Sequence, residues 1–315
     1  MSPHPSWDGG SIHFLSDRNG LPQAWTTDPY GRSPTLLVPA TERVGAIRPS
    51  PAGPRCILAT DSGGNERWQL QLVEEAGTSP RALTTDGDRI HEPGHWADAH
   101  RFVYASNARD VRFFDVYVRD VDSELPARMI RREDSLQGVV AADGERTLVL
   151  RSNTNLDRDL ILLQGESERC LTPHQGEETI FDAALGTGET YAASNAGREY
   201  AGLVRIGTNG STPELLGSFE GDLEHLDLDR SAQELLLVVN DQGWSRIAHY
   251  SVATSELSYL EVPHPGVVDQ ISWLPLQRRF VYSLSSPRMG QEILLHDLEE
   301  RTSHPLTRSP SPLPG

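Results

Sequence analysis

An all-β fold made of seven similar units is predicted by three features of the sequence. A short apolar run ending in a polar pair recurs along the chain, and a Gly-rich or polar turn leads from it into a second apolar run. The ends of successive runs are 44, 46, 46, 42, 45 and 46 residues apart. No long stretch has the 3.6-residue periodicity of a helix. The runs end at Ser16-Asp17, Thr60-Asp61, Ser106-Asn107, Ser152-Asn153, Ser194-Asn195, Val239-Asn240 and Ser285-Ser286, and Val239 replaces the polar residue in the sixth.

Each unit contains the segments for four short strands, and the second unit illustrates them. Strands are predicted at Val44–Arg48, at Cys56–Thr60, from Trp68 and at Pro80–Thr84, with Gly, Asp and Ser in the turns between them. Glycine supplies positive φ, and Asp hydrogen-bonds to its own backbone, so these residues favour tight hairpins. Strand-rich units of about 45 residues match the blades of a propeller. The sequence therefore predicts a seven-bladed β-propeller of four-stranded antiparallel blades.

Seven units account for nearly the whole chain, so we expect one domain, which spans residues 1–307. Each terminal unit supplies its own strands, which predicts closure without strand exchange. The first and last blades would then meet through side chains alone, and their seam would be the weakest part of the ring. Residues 308–315 are Pro- and Ser-rich and are expected to form a linker-like tail. The approximate blade limits are 1–40, 41–86, 87–132, 133–175, 176–219, 220–263 and 264–307.

The composition limits the partners and the compartment. The formal net charge of −17 repels phosphate backbones and anionic lipids, so we expect neither nucleic acid nor a membrane as partner. All 28 basic residues are Arg, which excludes lysine chemistry. The two cysteines, Cys56 and Cys170, are far apart in sequence and predict no disulfide framework. With no leader pattern at Met1–Ser6, we expect a soluble cytoplasmic protein.

The repeats resemble those of TolB-like and dipeptidyl-peptidase-like propellers, which have a Ser-Pro-Asp-Gly turn, an apolar strand and then Ser-Asp or Ser-Asn. The corresponding turns are Trp7-Asp8-Gly9-Gly10, Ser50-Pro51-Ala52-Gly53, Trp96-Ala97-Asp98-Ala99 and Ala141-Ala142-Asp143-Gly144. The Leu-Thr that ends such units is matched at Leu83-Thr84, Leu171-Thr172 and Leu306-Thr307. With seven blades, the chain is most similar to the propeller domain of the prolyl oligopeptidase (S9) family, especially its acylaminoacyl-peptidase branch.

The resemblance implies a role in substrate gating beside an α/β-hydrolase domain, but it transfers no catalytic residue. Such a hydrolase needs its nucleophile on a Gly-x-Ser-x-Gly elbow between a strand and a helix. This motif does not occur in the sequence. We therefore predict that the chain is not an enzyme, that it has no catalytic residue and that it uses no cofactor.

A histidine-rich segment, Ile90–His100, raises the possibility of a metal site, because imidazole and carboxylate groups bind divalent ions. Successive residues of a strand point to opposite faces, so these side chains cannot all converge on one ion. We therefore interpret the segment as polar strand and turn residues and predict no metal site.

The innermost strand of each blade runs along the central channel and points alternate side chains into it. Two histidines qualify among the channel candidates, which is too few for the histidine set of a propeller metalloenzyme. The candidates for channel-lining residues are Arg48, His91, Glu92, Asp182, Glu224, His225, Asp269 and Gln270.

Three of the six tryptophans, Trp7, Trp96 and Trp273, recur at the end of the first strand of a unit. A repeated position in a repeat protein indicates a repeated packing role, so we expect these residues to pack between sheets.

Two functions remain open on the sequence. The first is a non-catalytic module that binds or gates a peptide or protein, with an α/β-hydrolase partner in trans as one form of it. The alternative is a stand-alone propeller enzyme or metal-dependent ligand binder that uses the histidines and acidic residues of the channel.

Overall fold

The structure, a computed structural model, describes residues 2–32 and 34–309, and in this part of the chain all regular structure is β-strand. The strands form seven four-stranded antiparallel sheets in which each strand pairs with the next along the chain. The first three blades comprise β1 to β4 (His4–Pro5, Ile12–Ser16, Gln23–Thr27 and Thr35–Leu36), β5 to β8 (Val44–Pro49, Cys56–Thr60, Gln69–Val73 and Arg81–Ala82) and β9 to β12 (His91–Trp96, Arg101–Asp110, Phe113–Asp120 and Arg128–Arg131).

The other four blades have the same organisation. They comprise β13 to β16 (Leu136–Asp143, Arg146–Ser152, Arg158–Gln164 and Ser167–Cys170), β17 to β20 (Ile180–Leu185, Glu189–Ser194, Gly202–Gly207 and Glu214–Gly217), β21 to β24 (Leu223–Leu228, Glu234–Asp241, Trp244–Ser251 and Glu256–Tyr259) and β25 to β28 (Val267–Trp273, Arg279–Ser286, Met289–Asp297 and Thr302–Pro305). Most of the predicted tail, residues 310–315, lies outside the described residues.

The first strand of every blade is the inner strand. Each inner strand contacts those of the neighbouring blades, and β1 contacts both β5 and β25, so the ring is closed. Among residues 2–32 and 34–309, no sheet contains strands from both ends of the chain. The predicted seven-bladed propeller without strand exchange is therefore confirmed.

The core consists of apolar clusters that lie between adjacent blades. One cluster joins the sixth and seventh blades through residues such as Leu236, Ile247 and Phe280, and the clusters of the other blade pairs are similar. The apolar run in the second strand of each blade is thus explained, because sheets stacked around an axis bury both faces of their middle strands. No helix in the described residues is long and apolar enough to cross a bilayer.

The antiparallel order fixes two faces of the ring. The upper face carries the starts of the inner strands and the hairpins between the second and third strands of each blade. The lower face carries the hairpins that follow the inner strands. Six backbone hydrogen bonds at the upper face each join two blades that are consecutive in the chain: Val44 N to Pro22 O, His91 N to Trp68 O, Phe114 N to Ser135 O, Arg158 N to Glu178 O, Leu223 N to Ala201 O and Ser245 N to Gly266 O.

Candidate functional site

The candidate site is a cavity of about 850 Å³ at the lower end of the central channel. Its walls are the last residues of the inner strands together with parts of the hairpins that follow them, such as Ser50, Gly186 and Pro275. A volume of this size lies within the range of small-ligand sites.

The cavity is asymmetric because the seven blades place different residues at one equivalent position. In the inner strand β5 this position is the fifth of six residues, Arg48, which is paired with Ile57 of the second strand. The residue paired with the equivalent position of the second strand is its counterpart in each other blade, as His4 is through His13 in the first. Basic or imidazole side chains occupy the first three blades, alanines the next two, and Asp and Ser the last two. In chain order the residues are His4, Arg48, His95, Ala141, Ala184, Asp227 and Ser272.

The basic wall consists of His4, Arg48 and His95, which are half-buried. The Arg48 guanidinium is held by carbonyl groups: its Nε donates to Gly94 O at 3.1 Å, and its Nη1 donates to Ile47 O at 3.0 Å. Among the described residues no carboxylate lies within ion-pairing distance of it. Burial lowers the pKa of Arg48, but an arginine keeps its charge in a protein. The wall therefore presents a fixed, unneutralised cation.

The two imidazoles beside Arg48 are neutral at physiological pH. Burial, followed by the charge of Arg48, lowers the pKa of His95 to about 3. The same two causes hold the pKa of His4 well below its usual range. Neutral imidazoles can donate or accept one hydrogen bond on each ring nitrogen without adding charge.

The acidic wall consists of Asp182, His225, Asp227 and Asp269, on the fifth, sixth and seventh blades. Asp182 Oδ2 accepts a hydrogen bond from Leu226 N at 3.1 Å, and Asp227 Oδ2 accepts one from Trp273 N at 2.7 Å. Each of these two bonds joins adjacent blades. The carboxylate of Asp182, 3.8 Å from Nδ1 of His225, raises the pKa of that histidine. Burial raises the pKa of Asp227 to about 7.

Five of the eight candidates named from the sequence line this cavity: Arg48, Asp182, His225, Asp269 and Gln270. The other three lie elsewhere. His91 is buried, with Nδ1 2.9 Å from Ser106 Oγ and its ring against Tyr104, so its side chain does not face the channel as expected. Glu224 Oε1 accepts a hydrogen bond from Asn240 Nδ2, and Glu92 is exposed outside the cavity lining.

β-Bulges explain why strict alternation misplaces these side chains. The pairing of β21 with β22 shifts register between Leu223 and His225, and that of β9 with β10 shifts between Pro93 and His95. A bulge adds one residue to one strand, so the residues on either side of it no longer alternate between faces. His95 was missed for this reason. His4 and Asp227 were also missed, although no register shift is recorded beside either of them. They are found by aligning the inner strands on their last residues.

The histidine-rich segment forms β9 and the hairpin that follows it. His91 is buried, His95 faces the cavity, and His100 lies 2.5 Å from Asp122 Oδ2 at the surface. These three side chains diverge. Within residues 2–32 and 34–309, no three His, Cys, Asp or Glu side chains are grouped so that they could hold a metal ion.

The tryptophans at the ends of the inner strands do not share one role. Trp96 Nε1 donates to Arg48 O at 2.9 Å, and Trp273 Nε1 donates to Asp227 O at 3.1 Å, so both join adjacent blades as the packing prediction implies. Trp7 is 42% exposed, and for this residue the prediction is wrong. The inner strand of the first blade ends at Pro5, so Trp7 lies in the hairpin beyond the sheet.

Comparisons with known proteins bear on the fold. No family model matches the sequence, and no curated protein matches it. A solved prolyl endopeptidase structure matches 100% of this chain and 50% of its own, with a TM-score of 0.82 and 10% identity. For puromycin hydrolase the TM-score is 0.78 at 16% identity, with 100% of this chain and 55% of that chain covered. A puromycin-hydrolyzing peptidase of Mycobacterium tuberculosis gives 0.78 at 14% identity, with 100% and 53% covered.

The chain thus spans about half the length of the solved proteins that it matches. The matched half is their propeller domain, which does not contain the hydrolase domain. The chain therefore has the fold of the seven-bladed propeller domain of prolyl endopeptidases and puromycin hydrolase.

Proposed function

We propose that this chain is a non-catalytic module that binds peptides or proteins and gates their access to an α/β-hydrolase domain supplied in trans. The observation that carries this proposal is the match of the whole chain to about half of each peptidase and hydrolase structure. The absence of a Gly-x-Ser-x-Gly elbow supports a role in binding over catalysis.

The distribution of exposed apolar side chains favours the upper face as the surface that contacts the hydrolase domain. This face carries eight large apolar side chains with exposed fractions of 38% or more, whereas the lower face carries four. Exposed apolar groups concentrated on one surface mark an interaction site. On the upper face they are Leu21, Val111, Leu136, Leu156, Phe181, Tyr200, Trp244 and Val267, and on the lower face Trp7, Tyr30, Leu125 and Leu276.

The proposal is tested first on the isolated protein. We expect no hydrolysis of acyl-amino-acid or peptidyl chromogenic substrates and no labelling by a fluorophosphonate, because the chain lacks the nucleophile elbow. Stoichiometric labelling would show that the protein is a serine hydrolase itself.

The partner is tested by co-purification with the tagged protein from its own cells, followed by fluorophosphonate labelling of what is retained. We expect a labelled hydrolase that is lost with Trp244→Glu on the upper face and kept with Leu276→Glu on the lower face. Both residues are exposed and lie in or beside hairpins, so the two variants are matched. Equal retention by both variants would contradict the upper-face assignment.

A further inference from the structure

The cavity at the lower end of the channel is chemically two-sided. The basic wall belongs to the first three blades and the acidic wall to the last three, and Ala141 of the fourth blade lies between them. The rim adds Arg146, which pairs with Asp143, and Arg230, which follows Asp229 in the chain. The charged neighbours that raise the pKa of Asp227 are Asp182 and Asp229. The electrostatic environment on this side of the cavity is therefore negative.

Arg48 has no carboxylate partner among the described residues, whereas many other arginines of the chain do. Arg55, Arg109 and Arg151, for example, form ion pairs with Asp or Glu at 2.5–2.9 Å. Arg48 is instead fixed by two backbone carbonyls while it lines the cavity. A half-buried arginine without a carboxylate partner is energetically costly unless a ligand or ordered water satisfies it.

A simple anion fits this cavity poorly. It would gain the charge of Arg48, and of Arg230 at the rim, but would face the carboxylates of Asp182, Asp229 and Asp269 in the same cavity, and the whole chain carries −17. A ligand with one anionic and one cationic end would complement both walls, because each of its charges would lie beside a group of opposite sign.

We propose that this cavity binds short peptides with both termini free, with the C-terminal carboxylate on Arg48 and the N-terminal ammonium group on the acidic wall. This proposal rests on the proposed function and names the ligand class of its binding site. The carboxylate would accept hydrogen bonds from the guanidinium and from a neutral imidazole of His4 or His95. The ammonium group would donate to Asp269, which is exposed to the cavity.

The test uses Ala-Ala-Ala, its C-terminal amide and its N-acetyl form in calorimetric titrations of the purified full chain. On the wild-type protein we expect the amide and the N-acetyl form to bind at least about tenfold more weakly than the free tripeptide, because each loses a charge-assisted hydrogen bond. This comparison needs no protein variant, so it does not depend on the folding of any mutant.

Two variants then locate the groups by a double-mutant cycle. In Arg48→Gln the difference between the free tripeptide and its amide should vanish, and in Asp269→Asn the difference between the free tripeptide and its N-acetyl form should vanish. Arg288→Gln, at an exposed arginine in a hairpin of the upper face, is the matched control and should preserve both differences. Melting temperatures confirm that each variant is folded.

The outcomes separate this inference from the proposed function. Equal binding of the tripeptide, its amide and its N-acetyl form would overturn the assignment of the two termini and leave a peptide-binding module. If Arg48→Gln still binds the free tripeptide more tightly than its C-terminal amide, the carboxylate is bound by a group other than Arg48. If none of the three peptides binds, the inference is overturned, whereas the hydrolase partner is still decided by the co-purification experiment.

Discussion

The carboxylate of Asp227 lies on the acidic wall, where three influences act on it. Burial raises its pKa to about 7, and the nearby carboxylates of Asp182 and Asp229 act in the same direction. The hydrogen bond from Trp273 N lowers the pKa of Asp227, but by less than the other two influences raise it. In the unfolded chain an aspartate titrates near pH 3.9. The folded protein therefore binds more protons than the unfolded chain between about pH 4 and 7, and Asp227 makes folding less favourable as the pH rises through this range.

We predict that Asp227→Asn stabilises the protein at high pH. The asparagine Oδ1 can still accept the hydrogen bond from Trp273 N, and no charge has to be buried. The melting temperature of the variant relative to wild type should rise between pH 5 and pH 8, by roughly 2–4 °C. Ser272→Ala, at the equivalent position of the seventh blade, removes no titratable group; it is the control and should give a difference that does not change with pH. A lower melting temperature of Asp227→Asn at both pH values would show that the carboxylate is needed for the inter-blade bond.

At the scale of the elements, the inner strands pack against each other so closely that side-chain size becomes critical. A Cβ added to Gly94 would lie 2.4 Å from Val103 O and 2.7 Å from Val139 Cβ in the next blade. A Cβ added to Gly138, on the neighbouring inner strand, would have no atom within 4 Å. The two glycines therefore have different roles although both lie on inner strands.

We predict that Gly94→Ala lowers the free energy of unfolding by about 1–3 kcal/mol, the usual cost of overpacking. Gly138→Ala should be neutral or slightly stabilising, because alanine loses less backbone entropy on folding than glycine. Urea denaturation of the two variants measures both effects. Equal midpoints would mean that the neighbouring strands can move apart at Gly94.

The repeat made most of the architecture predictable, since each blade presents the same apolar second strand and the same turn residues. The strand predicted at Cys56–Thr60 occurs with these bounds, and the inner strand predicted at Val44–Arg48 extends by one residue to Pro49. The orientation of side chains in the channel was less predictable, because bulges are formed by pairing with the second strand and leave little trace in the inner strand itself. His91 and His95 show the result: the first was expected in the channel and is buried, while the second lines the cavity.

On the scale of the whole ring, the boundary between the first and seventh blades differs from the other six. Each of the others has a backbone hydrogen bond at the upper face, and no such bond joins two described residues across this seam. The inner strand β1 has only two residues, whereas the other inner strands have six to eight. Polar contacts across the seam are long: His4 Nδ1 lies 3.5 Å from Gln270 Nε2, and His304 Nε2 lies 3.4 Å from Pro29 O.

Apolar packing is therefore the main force that closes the ring at the seam. The cluster there contains Phe14 and Trp25 of the first blade together with Leu274, Val281 and Ile293 of the seventh. Because no backbone hydrogen bond joins described residues of the two blades at the upper face, the blades can separate as units when their side-chain contacts part. This gives a physical basis for gating by opening of the ring.

We predict that the seam opens before any other boundary. Amides of Ile12–Ser16 and Phe280–Ser285 should exchange with solvent faster than those of Leu148–Ser152 in the fourth blade, measured by hydrogen exchange with mass spectrometry. The second segment is decisive, because β1 covers only Ile12 and His13 of β2, so fast exchange in β2 alone could reflect its short neighbour. The strand β26, by contrast, is paired on both sides within its own sheet, so fast exchange of its amides requires the seventh blade, once uncovered at the seam, to open its own ladder locally. Uniform exchange of β26 and β14 would show that the seam is as stable as the other boundaries and would remove the basis for gating by ring opening.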